Sequence, residues 1–127
     1  MIRALIVSLL LALPVASFGA QRAPVTTPID AEAERASAHN LDVGRQYFKK
    51  KAWVGARGRL EEIVATHTTF TKIDEVYYIL GVVYFEMDDP DHARAMFQKI
   101  IDERPDSSFA KKAKGELDKL PTPPNQD

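Results

Sequence analysis

Between Asp30 and Leu120 apolar side chains recur every three or four residues, and no segment alternates apolar with polar as a half-buried strand does. Tyr77, Leu80, Gly81 and Tyr84 form one such series; Ala93, Phe97, Ile100 and Ile101 form the next. Asp88-Asp89-Pro90-Asp91 stands between them and punctuates a helix start. Asp89 suits the N-cap, Pro90 the first helical position, and Asp91 the positive end of the helix dipole. Pro105-Asp106-Ser107 stops the second series. Ser107 or Ser108 is then placed to cap a further helix with Phe109, Ala110, Ala113, Leu117 and Leu120 on one face. The pattern predicts an all-helical fold.

The series also repeats. A shift of 37 positions lays Gly44, Tyr47, Phe48, Ala56, Arg57 and Ile63 on Gly81, Tyr84, Phe85, Ala93, Arg94 and Ile100. Val43, Leu60 and Val64 fall on Leu80, Phe97 and Ile101. The same shift carries Ile73, Val76 and Leu80 onto Ala110, Ala113 and Leu117. Matched small and large positions are what a close-packed helix pair requires. Gly44, Ala56, Gly81 and Ala93 are expected at the close crossings, with Tyr47, Leu60, Tyr84 and Phe97 filling the space between helices. Two units result, 37–73 and 74–110, closed by a capping helix at 107–120. Residues 21–36 read as a linker plus a backward extension of the first helix, and 121–127 as a loose tail rich in proline.

These positions resemble the tetratricopeptide repeat. Counted from Ser37, the first unit supplies Gly44, Tyr47, Ala56 and Leu60, with Trp53 in the turn; counted from Asp74, the second supplies Gly81, Tyr84, Ala93, Phe97 and Pro105. Thr68 replaces the expected proline in the first unit, and Ile63 and Ile100 replace the usual alanine. The 37-residue step and the joint Arg104-Pro105-Asp106-Ser107-Ser108-Phe109-Ala110 look like the bacterial envelope subgroup, similar to the BamD-type outer-membrane-assembly lipoproteins and the CpoB/YbgF-type Tol-Pal-associated proteins. The resemblance implies a short α-solenoid of two helix pairs plus a cap. It also implies a non-catalytic module that binds a protein or peptide in the concave groove. Carried onto this chain, the groove-lining positions are Leu41, Arg45, Phe48 and Lys49 from the first unit and Tyr78, Val82 and Phe85 from the second. Arg45 and Lys49 would favour an acidic partner. A structural subunit that stacks on copies of itself, or packs into a larger envelope machine, is the alternative.

Charge sharpens this picture. From Asp42 to Arg59 six basic residues stand against one acid, whereas from Leu60 to Asp106 eleven acids stand against four bases. Such polarity suits head-to-tail docking, or simply two solvated faces. The formal net charge of −1 gives no electrostatic case for nucleic acid. Cysteine is absent, which excludes disulfides, thiolate metal sites and a cysteine nucleophile. His39, His67 and His92 lie in separate segments without ligand spacing, and the serines sit near helix caps without a recognisable histidine–acid arrangement. No catalytic residue, metal or cofactor is expected.

Met1-Ile2-Arg3 followed by the apolar run Ala4–Leu13, Pro14 and the small residues up to Ala20 has the layout of a secretory signal. The run is shorter than the roughly 20 residues a membrane helix needs. The expectation is cleavage between Ser17 and Gln21 and export to a bacterial periplasm, an uncleaved anchor being the rival.

Overall fold

A computed structural model describes residues 27–124. The expected leader, and residues 21–26 and 125–127 of the linker and tail, lie outside them. The described residues form five helices and no strand: α1 (Pro28–Lys49), α2 (Trp53–Thr66), α3 (Ile73–Glu86), α4 (Pro90–Glu103) and α5 (Ser108–Leu117). The helices pack in sequence as antiparallel pairs, α1 on α2 and α3 on α4, with α2 against α3 and α5 closing on α3 and α4. The all-helical fold expected from the periodicity is observed, as is the short helical repeat that the resemblance implies.

Local chemistry sets the boundaries. Thr27 caps α1 in a capping box: its hydroxyl accepts from the Asp30 backbone N–H, and the Asp30 carboxylate accepts from the Thr27 N–H. These bonds hold the Asp30 carboxyl below its ordinary pKa. Pro28 occupies the first turn, so Pro28 and Ile29 are helical although they read as linker in sequence. The α1 extension is real and makes it a helix of 22 residues against 14 for α2, α3 and α4. Asp89 caps α4 as expected, accepting from the His92 N–H, with Pro90 in the first turn. Ser107 caps α5 through the Phe109 N–H, and α5 ends at Leu117, three residues short of the expected boundary. Leu120 is still buried beyond it, and Arg94 donates to the Pro121 carbonyl.

The 37-residue repeat holds at backbone level. The Ala52 N–H bonds to the Tyr47 carbonyl at 2.9 Å, and the Asp89 N–H bonds to the Tyr84 carbonyl at 2.9 Å. Past the second helix of each unit, His67 bonds to Ile63 and Arg104 to Ile100, both at 2.8 Å. At the helix crossings glycine leaves room for a large facing side chain. A Cβ on Gly81 would lie 2.6 Å from the Phe97 ring, and one on Gly44 would lie 2.9 Å from Leu60.

The core is Leu41, Ala56, Leu60, Ile63, Phe70, Ile73, Val76, Tyr77, Ile79, Leu80, Val83, Ala93, Phe97, Ile100, Ala110, Ala113 and Leu120. Two expected core residues are not in it. Tyr47 is 38% exposed and Tyr84 is half-buried. The reason lies in the neighbouring helix: the Tyr47 ring lies over Gly55, where a Cβ would meet it at 2.9 Å, and the Tyr84 ring stacks on His92 with centroids 5.0 Å apart. Each tyrosine covers the first turn of its partner helix from outside. Burial on α1 instead falls on Ser37, Leu41 and Gly44, because among the described residues α1 has only α2 and α3 to pack against. α3, enclosed by α2, α4, α5 and α1, buries residues on nearly every side.

Candidate interaction surface

The first helices of the successive units, α1, α3 and α5, lie side by side and form one strip. Two sets of contacts tie it together. Arg45 on α1 donates to both carboxylate oxygens of Glu75 on α3, at 2.7 Å from Nε and 2.6 Å from Nη2, and its Nη1 donates to Asp42 at 2.7 Å. This fork geometry holds the Arg45 guanidinium even further above its ordinary pKa, chiefly through Glu75. Tyr78 on α3 packs against Phe97 (6.0 Å between centroids) and against Phe109 of α5 (5.5 Å). The Lys112 ammonium stands 5.9 Å from the Tyr78 ring centroid. Burial and nearby Glu116 push the Tyr78 phenol up from its ordinary value.

The seven groove positions expected from sequence therefore separate. Leu41 is 1% exposed and belongs to the core, a correction that follows from the rotation of the buried stripe on α1. Arg45 faces the strip, but its charge is met by Glu75 and Asp42, so it offers an acidic partner little. Tyr78 is covered in part by the closing helix. Phe48 is half-buried with its ring edge-on to Trp53 at 5.6 Å. Val82 is half-buried, Lys49 is exposed, and Phe85 is 42% exposed. The open portion on α3 is Phe85 with Val82; Phe48 and Lys49 occupy the matching end of α1, one repeat earlier. An exposed phenylalanine beside a half-buried valine is a surface with apolar area still to bury.

Residues 75–107 match the tetratricopeptide repeat family. The chain contains a tetratricopeptide repeat. The match covers most of α3 and α4, the unit with the clearer capping residues and Pro105, and marks this pair as the kind used in protein–protein interaction modules. No curated protein and no solved structure matches the chain.

Sequence reasoning missed one constellation, brought together by the extension of α1. Ser37 Oγ lies 2.9 Å from Nδ1 of His67, and His67 Nε2 is 4.0 Å from a Glu34 carboxylate oxygen. Glu34 also accepts from the Thr71 N–H. Serine, histidine and glutamate adjoin here, yet Ser37 is 3% exposed in mid-helix, where the surrounding backbone N–H groups are committed to the helix. That leaves no access for a substrate and no donors for an oxyanion. The three residues instead join the long first helix to the α2–α3 loop. The contacts from Glu34 and Ser37 to His67 and Thr71 span 30 residues or more, and only the register of the pair reveals them.

Among the described residues no helix is long and apolar enough to cross a membrane, and no three His, Asp or Glu residues cluster in a way that could hold a metal.

Proposed function

We propose that this chain is a non-catalytic adaptor that docks a protein or peptide segment on the strip formed by α1, α3 and α5. The observation that carries this reading is Phe85, 42% exposed on a helix otherwise buried on nearly every side. Val82 beside it and Phe48 one repeat earlier complete an apolar footing for a short segment. The tetratricopeptide repeat at 75–107 supports an interaction role rather than a reaction.

The partner's chemistry on this reading is apolar first. Charge enters through Lys49, because Arg45 is already engaged. A periplasmic adaptor with a mature chain beginning between Phe18 and Gln21 is part of this proposal, supported by the leader-like Met1–Ala20 and the resemblance of the inter-repeat joint to the envelope subgroup. Mass spectrometry of the amino terminus tests the location, and an intact Met1 in a membrane fraction would refute it. A photo-crosslinking amino acid in place of Phe85, compared with one in place of the exposed Gln98 on α4, outside the strip, tests the surface. The proposal expects a discrete protein adduct from position 85 and none from 98; equal labelling from both would refute it.

A further inference from the structure

The repeat itself exposes a second surface. Shifted by 37 residues, Ala33, Ala36, Asn40, Val43 and Tyr47 of α1 correspond to Phe70, Ile73, Tyr77, Leu80 and Tyr84. On that later unit the positions are closed: Phe70, Ile73, Tyr77 and Leu80 are at most 1% exposed, and Tyr84 donates from its hydroxyl to Glu61 of α2. On α1 the same face is open, with Ala36 and Tyr47 exposed and Ala33, Asn40 and Val43 half-buried. Nothing among the described residues does for α1 what α2 does for α3. At the other end of the solenoid, by contrast, α5 exposes Lys111 and Lys114, and Lys119 just beyond it is exposed as well.

The open face has the spacing of a helix–helix seam. Ile29, Ala36 and Val43 stand seven residues apart, and so do Ala33, Asn40 and Tyr47. Together they occupy the two apolar positions of a heptad over three turns of the repeat, with one asparagine at the middle. Alanines allow a close approach, and a central asparagine fixes register. Ile29 is 79% exposed and Val54, beside Tyr47 at the start of α2, is 67% exposed, so the apolar area runs the full length of α1.

The charges along α1 choose the occupant. Apart from Glu34, turned to His67 and Thr71, and Arg45, which pairs with Asp42 and Glu75, the first half of the helix carries Asp30 and Glu32 against Arg35, and its far end carries Lys50 and Lys51. A second α1 laid antiparallel sets acid against base at both ends; laid parallel, it sets like against like. Head-to-tail stacking would bring the lysines of α5 against Lys50 and Lys51. We infer that this chain forms a two-fold dimer through antiparallel α1 helices, the Glu32 end of one copy facing the Lys50 end of its partner. The dimer face is separate from the Phe85 strip, so either can fail without the other.

Sedimentation velocity of the purified chain over a concentration series tests this. The expected result is a monomer–dimer equilibrium in which Tyr47→Glu raises the dissociation constant by about tenfold or more with helicity unchanged. Glu32→Lys and Lys50→Glu should each weaken the dimer, and the double variant should restore it, since only antiparallel pairing brings the two positions together. A monomer at about 1 mM overturns the inference. So does a dimer indifferent to Tyr47→Glu. A double charge variant weaker than either single one overturns the antiparallel arrangement.

Discussion

Lys51 and Asp88 take the same left-handed backbone conformation, with φ of 55° and 62°, at the same place in the two helix pairs. Each follows the end of a first helix and lets the chain reverse into the second. The following N–H, of Ala52 or Asp89, then reaches back to the Tyr47 or Tyr84 carbonyl. Aspartate tolerates this conformation better than lysine does, because its short side chain bonds locally. Lys51→Gly should therefore stabilise the protein by about 0.5–1 kcal/mol, the relieved strain of about 1–2 exceeding the chain entropy glycine adds. Asp88→Gly should change little. Urea midpoints for the two variants check the difference, and a destabilised Lys51→Gly would contradict it.

The two crossing glycines are not equivalent. At Gly81 an added Cβ meets the body of the buried Phe97 ring, and at Gly44 it meets a terminal methyl of Leu60. Gly81→Leu should cost about 2–4 kcal/mol by overpacking, and Gly81→Ala should cost more than Gly44→Ala. Gly115, with open space around its Cβ position, should tolerate alanine with a gain of about 0.8–1 kcal/mol. Thermal melts rank the series; equal shifts at 81 and 115 would contradict the register.

Two tyrosines make stability sensitive to alkali. Burial pushes the phenols of Tyr77 and Tyr84 up, with Glu61 adding to the effect at Tyr84. Their folded-state values lie above the unfolded value near 10, so their contribution is complete below about pH 10 and is lost as pH rises beyond it. Tyr77 also has a buried hydroxyl without a hydrogen-bond partner. Tyr77→Phe should be neutral or stabilising by about 1 kcal/mol at pH 7 and should flatten the alkaline fall. Stability curves from pH 7 to 11 measure both, and a loss at neutral pH would show that the hydroxyl has a partner.

The Arg45–Glu75 fork binds α1 to α3 across the strip, with side chains 33% and 18% exposed. Allowing for that exposure, Glu75→Gln should cost about 1 kcal/mol, and less as salt rises. Chemical denaturation at low and high ionic strength checks it. An effect independent of salt would mean that packing, not charge, is lost.

Much of this was legible in the residues. Gly44, Gly81, Ala56 and Ala93 announce close helix crossings, and Asp89-Pro90 and Ser107 announce their own helix starts, because caps and packing act over a few residues. The rotation of α1 was not legible. Leu41 is core and Tyr47 is open because, among the described residues, α1 packs only on α2 and α3, and that depends on which neighbours a helix has rather than on any local pattern. The Arg45–Glu75 and Ser37–His67 contacts each span 30 residues, a separation that periodicity does not encode. Phe85 belongs to a second apolar stripe at helical spacing that the resemblance reads as a groove, and the structure leaves it exposed.

The central claim is that the Phe85 surface binds. It is tested most directly by comparing partner recovery on immobilised wild-type protein with recovery on Phe85→Ala. Truncating this exposed ring should shift stability by only about 0.5 kcal/mol, so any change in binding is read on a folded protein. The account predicts an unchanged helical spectrum, a small melting shift and loss of the proteins retained by wild type. Undiminished recovery on a folded Phe85→Ala would contradict it.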